Sequence, residues 1–143
     1  MIKFLHASWA YFTLFALIFV IAQHSYNLFS GRKYRLQIEF RLALLGLIFF
    51  AVQVVLGIIN FLYSDYFHAL RNGSFPSVMK NAHSRLAAVE HPVMGIIGLL
   101  LILYGFRRMF YQIDRKKKYM SIILFYGLAL LLVLLRIPWK DRL

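Results

Sequence analysis

The chain has 143 residues, 62% of them hydrophobic and 17% aromatic, and it contains no cysteine. A soluble domain is closer to about 45–50% apolar, so the composition points to a membrane protein; the missing thiols exclude disulfides, iron–sulfur clusters, thiolate metal sites and haem attached through Cys-x-x-Cys-His. The net charge of +12 would raise nucleic acid as a partner in a soluble protein, but here Lys and Arg sit in short loops between apolar runs, where such charges orient a membrane protein and meet anionic lipid.

Four runs are apolar enough to span a bilayer, which takes about 20 residues at about 1.5 Å each. In lipid every backbone polar group must be satisfied internally, so the runs are expected to be helices. The pattern predicts helices over 4–28, 42–63, 84–107 and 118–137 with an outer loop over 64–83. They form one all-α domain, 1–143, a transmembrane four-helix bundle.

Helix 1 begins with Lys3 and His6, and its Val20-x-Ala22 imitates the cleavage site of a signal peptide. The run is long for such a segment and carries a histidine, so retention is expected. At its far end lie Gln23, His24 and Asn27. His24 follows His6 by 18 residues, about 27 Å along the helix, and has no histidine partner at its depth.

Helix 2 carries Gly46, Gln53, Gly57 and Asn60 on one face. Interhelical hydrogen bonding, at about 0.6 kcal/mol per bond, explains them without a ligand; contact with a quinone or a cofactor edge is the alternative. In the outer loop, Arg71-Asn72-Gly73-Ser74 reads as a turn and Phe75-Pro76-Ser77 as the start of a short helix.

Helix 3 accepts Glu90 and His91 in its first turns, followed by Pro92. Ionisable groups at membrane depth cost about 2.5–3.5 kcal/mol each on insertion scales, so they need a partner or a purpose. Helix 4 follows the basic run Arg115–Lys118, expected to orient the chain and touch headgroups, and ends in Arg136, Pro138 and Trp139. Trp9 and Trp139 read as interface anchors, and Trp139 alternatively as the cover of a cofactor edge.

Charge sets the orientation. The loops after helices 1 and 3 hold ten positive residues, against seven on the other side, and the ten cluster at helix ends. The positive-inside rule then puts both termini and the outer loop on the outer (periplasmic) side of a bacterial inner membrane.

With that orientation His6, Arg85, Glu90, His91 and Arg136 collect at the outer end of the bundle, with His83 and His68 further out. Helical phase adds a match. His6 is followed on its face by Ala10, Thr13 and Leu17, and His91 by Gly95, Gly98 and Ile102, at the same offsets. Two histidines at one depth with slim residues beneath them suit a flat macrocycle, and a b-type haem held by axial ligation and packing is the expected occupant. Arg85 and Arg136 would then pair with its propionates, and Glu90 would accept a proton from a ring nitrogen of a histidine. Small-xxx-small helix packing explains the glycines without any cofactor.

Other chemistries find less support. Zinc through His6, His83, His91 and Glu90 is conceivable by ligand type but lacks a spacing motif. There is no Gly-x-Ser-x-Gly, no carboxylate pair and no phosphate-cradling loop, so no catalytic residues are assigned. Ion transport would want ionisable groups at several depths.

The Leu5-His6 start, Gln53-x-x-Leu56-Gly57, Met79-Lys80-Asn81, Arg85 with Ala88-Val89-Glu90-His91-Pro92-x-Met94, and Arg136-Ile137-Pro138-Trp139 extend over nearly the whole chain. In these pieces it resembles small four-helix bacterial membrane proteins catalogued as cytochrome b-like. The resemblance implies haem b and electron transfer, with His6 and His91 as matching metal ligands. A histidine carried by relatives two places before the helix 2 glutamine is Ala51 here. The expectation is therefore a haem-binding electron-transfer protein with the bilayer, and a quinone or redox protein, as partners. The alternative is a cofactor-free accessory subunit of a membrane complex or homo-oligomer, in which Arg85, Glu90 and Arg136 form a structural ion-pair network.

Overall fold

A computed structural model describes residues 1–138. The anchor Trp139 and the charges Lys140 and Arg142 fall outside the described residues. Helix α1 spans Ile2–Phe29 and α2 spans Leu36–Leu62. Between them the chain reverses through Gly31, whose φ of 69° is a conformation that only glycine adopts without strain. Helix α2 starts six residues before the expected Leu42. Hydropathy placed the boundary after Arg41, yet the segment Leu36–Arg41 is helical and turns Glu39 into the bundle, where it is 1% exposed.

The expected outer loop is itself mostly helical. Helix α3, Asp65–Arg71, is capped by Ser64, whose hydroxyl accepts from the Phe67 N–H at 3.3 Å. Gly73, at φ 81°, makes the turn read from Arg71–Ser74, and α4 follows over Phe75–Lys80 with Pro76 in its first turn. Helix α5, Ala82–Arg85, is capped by Asn81, which accepts from Ser84 N–H at 3.0 Å.

A π-helical turn over Leu86–Glu90 then leads into α6, His91–Tyr111. Pro92 explains the widening. Its ring would crowd the carbonyl four residues back and it has no N–H to give. His91 N–H instead reaches Leu86 O, five residues back. Such single π turns re-aim neighbouring side chains and occur often at functional positions. Helix α7, Arg115–Leu135, completes the chain.

The four long helices pack as a closed ring in which α1 touches α2 and α7, and α6 touches the same two. Small residues let them close. A Cβ on Gly105 would lie 2.6 Å from Phe125 Cβ and 2.9 Å from Ser121 O, so α6 and α7 meet at backbone distance. Beside Gly46 passes the ring of Tyr126, whose hydroxyl crosses the bundle to donate to Ala43 O at 2.7 Å. Leu17, Val20, Phe50, Ile102 and Ile122 fill the space around it. Outside, Phe12, Phe15, Val55, Leu100 and Leu131 are more than half exposed. Water would penalise that surface and lipid accepts it. With four helices long and apolar enough to cross a bilayer, the chain is an all-α, multi-pass membrane protein.

Candidate functional site

His6 and His91 meet at the end of the bundle that carries the short helices. Their ring centres are 6.2 Å apart with planes at 74°. The two helices that carry them sit diagonally in the ring, so the pair spans the bundle axis. His91 Nδ1 lies 3.0 Å from Arg136 O; it donates to that carbonyl, which places the imidazole lone pair on Nε2. Gln53 holds the other ring. Its amide nitrogen lies 3.2 Å from His6 Nδ1 and 3.2 Å from His6 O, while its own oxygen is buried without a hydrogen-bond partner. The two ends of an amide are alike in shape. As placed, the amide donates to both, so His6 Nδ1 is the acceptor and the ring proton sits on Nε2; the amide turned over would exchange the two ring nitrogens' roles and lose the bond to the carbonyl.

Beneath the pair lies a cavity of about 620 Å³, running from Lys3, Ser64 and Tyr66 inward to Leu17 and Phe50. That volume is in the range of small-molecule and cofactor sites, about 300–1,000 Å³. Ala10, Thr13, Gly57 and Gly95 all line it. Gly57 is the wall on which His6 rests, since a Cβ there would come within 3.1 Å of His6 Cε1.

The two glycines of α6 have different surroundings despite their matched spacing. A Cβ on Gly95 would meet nothing within 4 Å, whereas one on Gly98 would meet Phe50 Cζ at 2.9 Å. Gly95 therefore faces the cavity, and Gly98 makes room for an aromatic ring of α2. Thr13 lines the cavity and also donates to Phe49 O at 3.2 Å. Trp9 donates to the same carbonyl at 3.0 Å and stacks on the Phe49 ring, so this anchor ties α1 to α2.

The charged residues at this end bind one another. Glu90 Oε1 accepts from Arg85 Nε at 2.9 Å, and Oε2 lies 3.2 Å from Arg136 Nη1. Arg85 also donates to Met79 O at 2.9 Å, which clamps α4 to the start of the third span. This triad is the ion-pair network expected of a structural role. His68 and His83 lie on exposed parts of the outer helices. No group of three or more metal-ligating His, Asp or Glu occurs among the described residues, so the zinc site weighed from ligand type does not assemble there.

A second polar cluster lies at the opposite end and was not expected. Glu39 is buried against His24, Asn27 and Tyr119. Asn27 Nδ2 donates to its Oε1 at 2.9 Å, the Tyr119 hydroxyl reaches the same oxygen at 3.4 Å, and Oε2 lies 3.5 Å from His24 Nε2. So His24, which has no histidine at its depth, has a carboxylate. The basic run contributes as well. Arg115 donates to Arg32 O at 3.1 Å, and Lys118 lies 4.9 Å from the centre of the Tyr34 ring. Burial, then the nearby Glu39 and Tyr119, pushes the Tyr34 phenol well above its usual range, so it remains a neutral hydroxyl. A signal existed in the sequence: Glu39 is the acid embedded among Arg32, Lys33, Arg35 and Arg41, and His24 and Asn27 share a helix face three residues apart.

No protein-family model, curated protein or solved structure matches the chain.

Proposed function

We propose that the protein is a b-type haem protein of the bacterial inner membrane that passes electrons, with His6 and His91 as axial ligands near the outer face and both termini on that side. One observation carries this. Metal–imidazole bonds of about 2 Å, with about 1 Å more to each ring centre, separate two axial imidazoles by about 6 Å, and the two rings stand 6.2 Å apart across a cavity-bearing end of the bundle. The donor set also fits. His91 is oriented through Nδ1 by the Arg136 carbonyl, as metal-ligating histidines usually are, and His6 would present Nε2 in the same way with the Gln53 amide turned over. Gly95, Ala10 and Gly57 keep the adjoining walls slim. The resemblance to cytochrome b-like proteins points the same way.

A bound haem supplies one-electron chemistry. The chain's own residues fix the two rings and give the cavity apolar walls with Phe50, Leu17 and Val133. Arg85 and Arg136 share the single carboxylate of Glu90 and are not among the residues that line the cavity, where Lys3 is the cation and Asp65 the acid. A quinone or a redox protein on the outer side is the partner this arrangement suits. Purified protein is expected to show an absorbance change on dithionite reduction, and His91→Ala to lose bound haem. An unchanged spectrum in wild type, or full haem content in His91→Ala, refutes the proposal.

The Arg85–Glu90–Arg136 triad favours a second reading, a cofactor-free subunit that packs within a larger membrane complex. It predicts colourless protein that co-purifies with a partner in mild detergent, and substitutions in the triad that lower expression without touching any spectrum.

A further inference from the structure

The buried cluster at the far end of the bundle lacks a hydrogen, and the lack is local. His24 Nδ1 is 2.8 Å from Val20 O, the carbonyl one turn back, so Nδ1 carries a proton and donates it. In a neutral ring Nε2 is then an acceptor. It faces Glu39 Oε2 at 3.5 Å with the two side chains 0% and 1% exposed. An ionised carboxylate and a neutral imidazole nitrogen would present two lone pairs to one another in a place that water does not reach. Neither atom has any other hydrogen-bond partner. Buried polar atoms are rarely left so, because each forfeits its hydration without return. A single proton between them satisfies both, as an imidazolium facing a carboxylate or as a neutral imidazole accepting from a carboxylic acid.

We propose that His24 and Glu39 form a buried proton-binding site, holding one proton between Nε2 and Oε2. The surroundings are arranged for a proton held in place. Asn27 and Tyr119 both bond to the other oxygen, Oε1, which leaves Oε2 for the histidine. Arg35 lies one turn before Glu39 on the same helix, its carbonyl accepting from the Glu39 N–H at 3.0 Å, and Arg115 lies over the Tyr119 ring. These cations oppose a second proton and keep the occupancy at one. From α6, the ring of Phe106 packs on that of Phe40, the residue after Glu39. Asn27 Oδ1, near the end of α1, and the hydroxyl of Tyr34, in the loop that joins α1 to α2, are also buried without hydrogen-bond partners. Intramembrane ionisable pairs of this kind are functional by default. The site lies about 27 Å along α1 from His6 and does not depend on what that end binds.

The test uses the full chain in lipid nanodiscs with 15N-labelled histidine, the His24 signals being assigned by their loss in His24→Gln. At mildly alkaline pH an ordinary histidine is neutral and an ordinary glutamate ionised. His24 is expected instead either to carry protons on both nitrogens, or to accept at Nε2 from a carboxylic acid whose infrared carbonyl band vanishes in Glu39→Gln. Glu39→Gln copies the shape of the protonated acid and is expected to keep wild-type circular dichroism while making the His24 signals independent of pH. A neutral His24 beside an ionised Glu39, the result a bridging water would give, overturns the proposal. So do signals that move when sodium is exchanged for choline, because the cluster would then hold a metal cation. Should His24→Gln fail to fold, His24→Asn makes the same assignment, and the wild-type spectra then decide the matter.

Discussion

Three glycines on α6 give a graded test of how the bundle is packed. In helix interiors Gly→Ala gains about 0.8–1.0 kcal/mol of backbone propensity, and the new methyl then gains or loses according to what it meets. At Gly95 it meets nothing within 4 Å, so the full gain of about 1 kcal/mol should appear. At Gly98 the obstacle is Phe50 Cζ at 2.9 Å, the far end of a ring that can tilt, and the expected net change is near zero. At Gly105 the obstacles are Phe125 Cβ at 2.6 Å and a backbone oxygen at 2.9 Å. Carbon atoms prefer about 3.5–4.0 Å, so α6 and α7 must part by about 1 Å, and overpacking of that kind costs about 1–3 kcal/mol. The net loss at Gly105 is therefore up to about 2 kcal/mol, and the three variants span about 1–3 kcal/mol in the order Gly95, Gly98, Gly105. Equilibrium unfolding in mixed SDS micelles, followed by far-ultraviolet circular dichroism, measures it. Gly105→Ala more stable than wild type, or Gly95→Ala as damaged as Gly105→Ala, would refute the packing described for this helix.

Tyr126→Phe removes the hydroxyl bonded to Ala43 O at 2.7 Å and should cost about 0.5–1.5 kcal/mol in the same unfolding assay. Gly57→Val places a branched side chain where even a Cβ sits 3.1 Å from His6 Cε1; it is expected to displace the imidazole and lower haem content severalfold, read from the reduced-minus-oxidised spectrum at unchanged helicity. Glu90→Gln weakens two contacts whose arginines are 38% and 49% exposed, and solvent screening keeps the expected loss below about 1 kcal/mol, measured as a thermal midpoint in detergent.

The four spans were legible because length and hydropathy are properties of a single segment. So was the convergence of His6 and His91, since helical phase and depth follow from counting residues along each helix. What phase could not supply was the neighbour. Gly95 and Gly98 carry the same spacing as Ala10 and Thr13, yet Phe50, a residue of another helix, fills the space at one and leaves the other open. Of the short helices over 65–85, α4 showed its start at Phe75 through Pro76, whereas α3 and α5 were hidden, because pieces of seven and four residues have too few turns for a period and depend on caps such as Ser64 and Asn81.

Glu39 shows the same limit more sharply. Inside the run Leu36–Arg41 it looks like one more solvated loop charge, and hydropathy starts the helix after it. The groups that bury it come from elsewhere: Asn27 is 12 residues away and Tyr119 is 80. Burying a carboxylate costs several kcal/mol unless hydrogen bonds and charge offset it, so the helix can start at Leu36 only when α1 and α7 bring those partners. The boundary of α2 and the polar cluster are thus one fact of the folded bundle. Removing Glu39's partners should therefore do more than empty a site. Asn27→Leu is expected to fray the first turns of α2, seen as faster amide exchange over Leu36–Phe40 with the rest of the helix unchanged. Unaltered exchange there would mean that the segment is helical on its own account and that the cluster merely occupies it.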